Sequence, residues 1–381
     1  MRKVYADYSS TTYVKDEVLE EMLPYYTRYY GNPSSIYEEG GYNKRIIEKC
    51  RENIARILNA DENEIYFVAS GTEADNTAIK GIMSANTDKG NHIITTKIEH
   101  LAITNTCKTL EKLGYEVTYL DVDKEGRIDL EKFKEAIRDT TVMASVMYVN
   151  SEIGTIQNIS QIGKICKEHN VIFHSDCVQA IGSVKIDVKE MNLDSISISA
   201  HKFYGPKGVG VLYVKDSVKF NNIIDGGHQE KGKRAGTENV AGIVGCSKAL
   251  EIADCNILNR VEYLSKLRDY LMTSIINNIE GVKINGSLEN RVCGNLNICI
   301  EGVDCNDVLI LLNNQGICAS CGSACSSSDK FPSYVLKAIG LSDKEAFSSI
   351  RFTLGEKNTF SDMDYITYNL KNIVKKLRKD T

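Results

Sequence analysis

Short apolar runs alternate along the chain with stretches in which Ile, Leu and Ala recur at helical spacing. That alternation predicts strands and helices taking turns, the mark of an α/β architecture. Strands are expected at 64–68, 92–96, 117–120, 142–149, 171–175, 195–199 and 209–214. Several are almost wholly apolar or β-branched, as in a mostly parallel sheet covered by helices on both faces. Amphipathic helices are expected at 43–58, 76–83, 130–137 and 160–169. After about residue 256 the pattern changes to a long helix, a strand-like 295–300, a cysteine-bearing loop and a last helix ending in Lys375, Lys376 and Arg378. A large domain over 15–255 is therefore expected, with a smaller α+β domain built from 1–14 and 256–381.

Length agrees with two units, since 381 residues exceed what a single core usually holds. A formal charge of -5 argues against a general nucleic-acid surface. The first residues lack the apolar core of a signal peptide, and no uncharged apolar run is long enough to span a bilayer. A cytoplasmic protein without membrane or direct nucleic-acid contacts is expected. Its twelve cysteines are too scattered for a secreted disulfide framework, so most should be thiols. Cys50, Cys107, Cys166, Cys246 and Cys299 fall among apolar residues and read as small core side chains.

Three βα junctions carry the candidate chemistry. Ser199-Ala200-His201-Lys202 ends an alternating strand and runs into the turn Gly205-Pro206-Lys207-Gly208, which forbids a helix. Lys202 at such a corner suits a Schiff base, and by itself the segment suits a surface turn lysine equally well. Ser70-Gly71-Thr72-Glu73 follows a strand and opens a helix, where free N–H groups and the helix dipole favour a phosphate; alone it also fits an ordinary capped helix. Asp176 ends a third strand, placed either to face a protonated ring nitrogen or to cap a helix beginning at Val178.

Together with Glu99-His100, Val149-Asn150-Ser151-Glu152-Ile153-Gly154-Thr155, Asp176 to Gln179, Arg234-Ala235-Gly236-Thr237-Glu238-Asn239 and Gly322-Ser323-Ala324-Cys325-Ser326, these segments resemble the cysteine desulfurases of the NifS/IscS type. Those enzymes form part of the class V branch of the aminotransferase-like enzymes that use pyridoxal 5'-phosphate (PLP). The resemblance runs from Tyr5-Ala6-Asp7-Tyr8 to Arg351-Phe352-Thr353-Leu354-Gly355. It implies the PLP-dependent aminotransferase-like fold, with Lys202 holding PLP and moving the Cα proton, Asp176 on the pyridine nitrogen and His100 on the ring face. Gln179 and Asn150 would meet the ring hydroxyl side. Gly71, Thr72, Ser199 and His201 would hold the phosphate, joined in a homodimer by Thr237 of the neighbouring subunit. Arg351 would pair with the substrate carboxylate, assisted by Asn32.

The implied reaction converts L-cysteine to L-alanine, with sulfur kept as a persulfide on Cys325 for an acceptor such as an iron–sulfur scaffold. Sulfur for iron–sulfur clusters, thio-cofactors or tRNA is the expected use. The stretch around Cys325 is small and polar, as a delivering nucleophile needs. Selenocysteine lyase shares the implied cofactor site without needing that cysteine, and a thiol-rich carrier or metal-binding protein is the alternative from another class. Cys318-Ala319-Ser320-Cys321 has the C-x-x-C form, but no second pair or nearby histidine completes a metal site, so no metal is expected. A redox pair, or a thiol resolving the persulfide, is the other reading of those two cysteines.

Overall fold

The computed structural model describes residues 2–322 and 331–379. Its strands are β1 (Val4–Tyr5), β2 (Ile65–Val68), β3 (His92–Thr96), β4 (Glu116–Leu120), β5 (Thr141–Ser145), β6 (Ile172–Asp176), β7 (Ser195–Ser199), β8 (Gly210–Val214), β9 (Val282–Ile284), β10 (Asn295–Ile300), β11 (Ile317–Cys318) and β12 (Ser349–Thr353). The central sheet has the order β2-β8-β7-β6-β5-β3-β4, and only β8 runs against the others. The carboxyl ends of β2, β6 and β7 therefore share one edge, the edge at which open α/β sheets bind ligands. Buried residues on both sides of the sheet explain its unbroken apolar strands: Ile54, Phe173 and Ile198 lie in one core cluster, Ile79, Ile82 and Ile93 in another.

Antiparallel strands in the order β12-β10-β9 form a second sheet. Leu267, Leu271, Leu296, Ile298, Phe352 and Ile366 share its core, to which the helices Ile257–Asn278 and Phe360–Leu377 contribute. Val4 and Ala6 lie in that same core, and β1 pairs with β11 in parallel register. This pairing anchors the first residues of the chain and leads Ser9 and Ser10 toward the carboxyl edge of the larger sheet. Among the described residues, no helix is long and apolar enough to cross a membrane.

Some elements differ from their sequence patterns for identifiable reasons. The strand expected over 142–149 ends at Ser145, because the Met147 N–H turns to the Glu99 carboxylate and the chain bends at Tyr148. The helix expected from residue 76 begins at Gly71, where the Ser70 hydroxyl accepts from Glu73 N–H and the Glu73 carboxylate accepts from Ala69 N–H. The long C-terminal-region helix is preceded by another, Val240–Cys255, so closely that Asn256 alone separates them. No helix follows Val178: Asp176 Oδ1 accepts the Val178 N–H at 2.9 Å and the chain continues in turns.

Candidate active site

At the shared carboxyl edge lies a cavity of about 230 Å3. Lys202 enters it from the 3-10 turn Ala200–Lys202 directly after β7. Its ammonium donates to the carbonyls of Ser9, at 2.5 Å, and Ser10, at 2.9 Å. The Gln179 amide donates to the same Ser9 carbonyl at 2.9 Å. The chain start thus supplies acceptors for two of the residues singled out from sequence.

One end of the cavity is built for an anion. Gly71 and Thr72 open the helix Gly71–Ala85, and Ser199 and His201 face them from β7 and the turn after it. A Cβ on Gly71 would lie 2.7 Å from Val178 Cγ2 and 3.3 Å from Ser199 Cβ, so glycine lets the three strand ends close together. His201 Nδ1 pairs with Thr11 Oγ1 at 3.0 Å. Burial, then the charges of Lys202 and Lys207, push its pKa down to about 4, which leaves a neutral ring near pH 7.

Two carboxyls stand at the centre. Burial raises the pKa of Asp176, while the His100 and Lys202 charges and the Val178 N–H pull it down. Asp75 is wholly buried and raised well above the usual range, first by burial and then by the charge of Asp176. The net shift is upward for both carboxyls, and among the described residues Asp75 Oδ1 has no hydrogen-bond partner. Behind them His174 sits between the hydroxyls of Ser145 and Ser197, at 2.9 and 3.0 Å, with its pKa lowered to about 3 by burial. His100 caps the helix Leu101–Lys112 through Nδ1, which accepts from Ala102 N–H, and the ring lines the cavity.

Arg351 closes the opposite end. It projects from β12, is 2% exposed, and donates to Asp7 Oδ1 at 2.8 Å, Ser10 Oγ at 3.1 Å and the Ser151 carbonyl at 3.1 Å. Among the described residues its Nε has no hydrogen-bond partner. Beside it lies Glu152, a buried carboxyl with Ser333 near it. Burial raises the Glu152 pKa, opposed by nearby Ser333 and by the Arg351 charge.

Three residues named from the resemblance are not at the cavity wall. Asn150 is buried, with its amide nitrogen donating to the Ile98 carbonyl and its oxygen accepting from Glu152 and Ile153 N–H. Asn32 is exposed and accepts from Ser34 N–H at 2.9 Å, and Thr237 is exposed on its loop. Cys325 lies outside the described residues. Conversely, Asp75, Ser9, Ser10 and Ser151 line the cavity without having been singled out. Asp75 had a usable signal: three residues beyond Thr72, it shares a face of the same helix. The pairing of Cys318 with Cys321 is also corrected, because Cys321 is joined to Cys305 and Cys318 is an exposed free thiol. Among the described residues no cluster could hold a metal ion.

The aminotransferase class-V family model matches residues 4–366. The chain belongs to that family. Within it, this class-V chain is 53% identical over 380 residues to cysteine desulfurase IscS of Clostridium botulinum strain Hall, covering 99% of this chain and 96% of the relative. A solved NifS-like protein superposes with a TM-score of 0.93 at 35% identity, over 98% of this chain and all of that one. The structure of SspA in complex with cysteine gives 0.83 at 37% identity, covering 92% of this chain and 98% of SspA. The chain is accordingly a class-V enzyme of the NifS/IscS cysteine desulfurase type.

PLP is the cofactor of that group, and the cavity fits it. A lysine amine, a strand-end carboxyl and a helix N-terminus closed by Gly71 are the set of groups that an aldehyde, a pyridine nitrogen and a phosphate require. The neutral His201 ring adds hydrogen-bonding capacity without a second cation.

Proposed function

We propose that this cysteine desulfurase passes the sulfur of L-cysteine to Cys325 and from there to an acceptor protein, with L-alanine as the other product. The observation that supports it most directly is the cavity in which Lys202, Asp176 and Arg351 meet. Bound PLP supplies an electron sink for the carbanion at Cα. Lys202 holds the cofactor and moves the Cα proton, from the corner where the Ser9 and Ser10 carbonyls orient its nitrogen. Asp176 pairs with the ring nitrogen, and burial together with the nearby Asp176 charge pushes Asp75 behind it toward its neutral form. Gly71, Thr72, Ser199 and His201 take the phosphate, and His100 and Gln179 border the ring.

Arg351 receives the substrate carboxylate, for which its forked guanidinium is suited. The Cys325 thiolate attacks the substrate sulfur, the Cβ–S bond breaks, and the proton balance leaves alanine and a persulfide on Cys325. Residues 15–255 supply the PLP-binding unit, and 1–14 with 256–381 supply the unit carrying Arg351 and Cys325. A homodimer is part of the proposal: Thr237 completes the phosphate site of a second copy, and exposed Leu23, Tyr26, Tyr30 and Ile36 give that copy an apolar face. Asn32, on the same exposed segment, would assist at the substrate carboxylate. The acceptor is an iron–sulfur scaffold or a thiolation protein in the cytoplasm.

Alanine release from L-cysteine tests the sulfur step. Cys325→Ala should reduce it by orders of magnitude while leaving the visible absorbance of bound PLP in place. Undiminished alanine release by that variant would overturn Cys325 as the acceptor.

A further inference from the structure

Cys305 and Cys321 are joined by a disulfide that desulfuration does not use. Cys305 is 3% exposed at the first position of the helix Cys305–Asn314. Cys321 is half-buried, one residue past Ser320, whose backbone pairs with that of Arg351, and four positions before Cys325. The Cα atoms lie 6.1 Å apart, inside the span a disulfide allows. Burial sets several other thiols aside from exchange, pushing Cys50 up to about 11 and Cys107 and Cys246 up to about 12, whereas Cys255 and Cys318 are exposed but stand outside this disulfide. The Cys305–Cys321 pair differs from them in bonding and in position, since Cys321 precedes Cys325 by four residues in the sequence and Cys305 is joined to it.

We propose that Cys321 and Cys305 form an internal dithiol that takes the sulfane sulfur from Cys325 and discharges it as hydrogen sulfide, a step that rests on Cys325 as the sulfur acceptor. The Cys321 thiolate attacks the outer sulfur of the Cys325 persulfide. The bond between the two persulfide sulfurs breaks, the Cys325 thiolate takes up the proton lost by Cys321, and the sulfur now resides on Cys321. The Cys305 thiolate then attacks Cys321 Sγ, forms the disulfide and expels hydrosulfide, which takes the Cys305 proton. The sulfane sulfur gains two electrons and the two thiols lose two, leaving hydrogen sulfide, a Cys325 thiol and the Cys305–Cys321 disulfide. Each chain discharges once until a dithiol reductant resets the pair. While the pair is oxidised, the sulfur stays on Cys325 for a protein acceptor, so the state of these two cysteines selects between free sulfide and delivery.

The test uses PLP-loaded protein that has been fully reduced, freed of reductant and given one equivalent of L-cysteine. Sulfide is counted per alanine formed, and each cysteine is mapped by mass spectrometry. Wild-type protein should release about one sulfide per alanine and gain the Cys305–Cys321 disulfide, and both Cys305→Ser and Cys321→Ser should lower that ratio several-fold. The extra sulfur should be trapped on Cys321 in Cys305→Ser and on Cys325 in Cys321→Ser. Equal sulfide per alanine in all three proteins, or a Cys305→Ser protein bearing sulfur on Cys325 and none on Cys321, overturns the dithiol. Absence of sulfur from Cys325 in Cys321→Ser overturns instead the Cys325 acceptor on which it rests.

Discussion

Ser320 and Arg351 exchange both of their backbone hydrogen bonds, Ser320 N–H to the Arg351 carbonyl at 3.1 Å and Arg351 N–H to the Ser320 carbonyl at 2.7 Å. The segment leading to the cysteine loop is therefore fastened to the strand that carries the guanidinium. In the proposed reaction, substrate binding and sulfur removal would both refer to one strand, β12, whose Arg351 lies opposite Asn297 of β10. The same guanidinium reaches Asp7 and Ser10, so the chain start, the loop root and the cavity wall converge on one side chain.

Arg351→Lys keeps the charge and loses the fork. The expected result is a rise in KM for L-cysteine of about 10- to 100-fold, the equivalent of losing a hydrogen bond to a charged group. Steady-state kinetics beside a thermal melt checks this, since Asp7 also loses a partner. A fall in kcat with KM unmoved would take the substrate carboxylate away from Arg351.

Lys202→Ala removes the amine held between the Ser9 and Ser10 carbonyls. Loss of the lysine-linked visible absorbance is expected, together with a fall in alanine formation of at least about 10^2-fold, the usual worth of a positioned proton-transfer group. Absorbance spectra of protein dialysed with PLP give the first readout and alanine assays the second. Retention of the wild-type spectrum would mean that another amine holds the cofactor.

Much of this site could be read from the chain because its chemistry is local. Gly71 and Lys202 each lie three residues past a strand and Asp176 ends one, and a strand end fixes where the next side chain projects. Features created by distant packing were not legible. Asp75 becomes significant only through its nearness to Asp176, about a hundred residues away in sequence. Glu152 sat in a quoted motif, yet its burial beside Arg351 depends on strand β12. Cys321 pointed by spacing to Cys318, but β11 leaves Cys318 exposed while the helix Cys305–Asn314 brings Cys305 to the other sulfur. Asn150 shows the converse, a motif residue whose amide is engaged in closing a turn.

Gly71→Ala tests the closeness of the phosphate corner. The added methyl meets Val178 Cγ2 at 2.7 Å, and Val178 lies between Asp176 and Gln179. Overpacking of that kind typically costs about 1–3 kcal/mol, which predicts a PLP dissociation constant raised about 5- to 100-fold. Titration of apoprotein with PLP, followed by absorbance, measures it. Unchanged affinity would show that Val178 yields freely and that the corner is not shaped by Gly71.

Glu99 sets a pH dependence of folding. The side chain is buried, accepts from Thr96 Oγ1 at 2.7 Å and from Met147 N–H at 3.0 Å, and has a pKa pushed up to about 8, chiefly by burial. In the unfolded chain the group returns to 4.5, so between those values the folded protein holds a proton that the unfolded chain has released. Its contribution is fully present below the unfolded value and is lost as pH rises toward about 8, by an amount on the order of a few kcal/mol. Glu99→Gln cannot ionise and still offers an oxygen to the Met147 N–H. Denaturant midpoints measured from about pH 5 to about pH 8 should therefore fall less steeply for Glu99→Gln than for wild type, with the variant gaining relative stability at the alkaline end. Parallel midpoints across that range would mean that Glu99 ionises in the folded protein much as it does in the unfolded chain, and that burial beneath Met147 does not govern its proton.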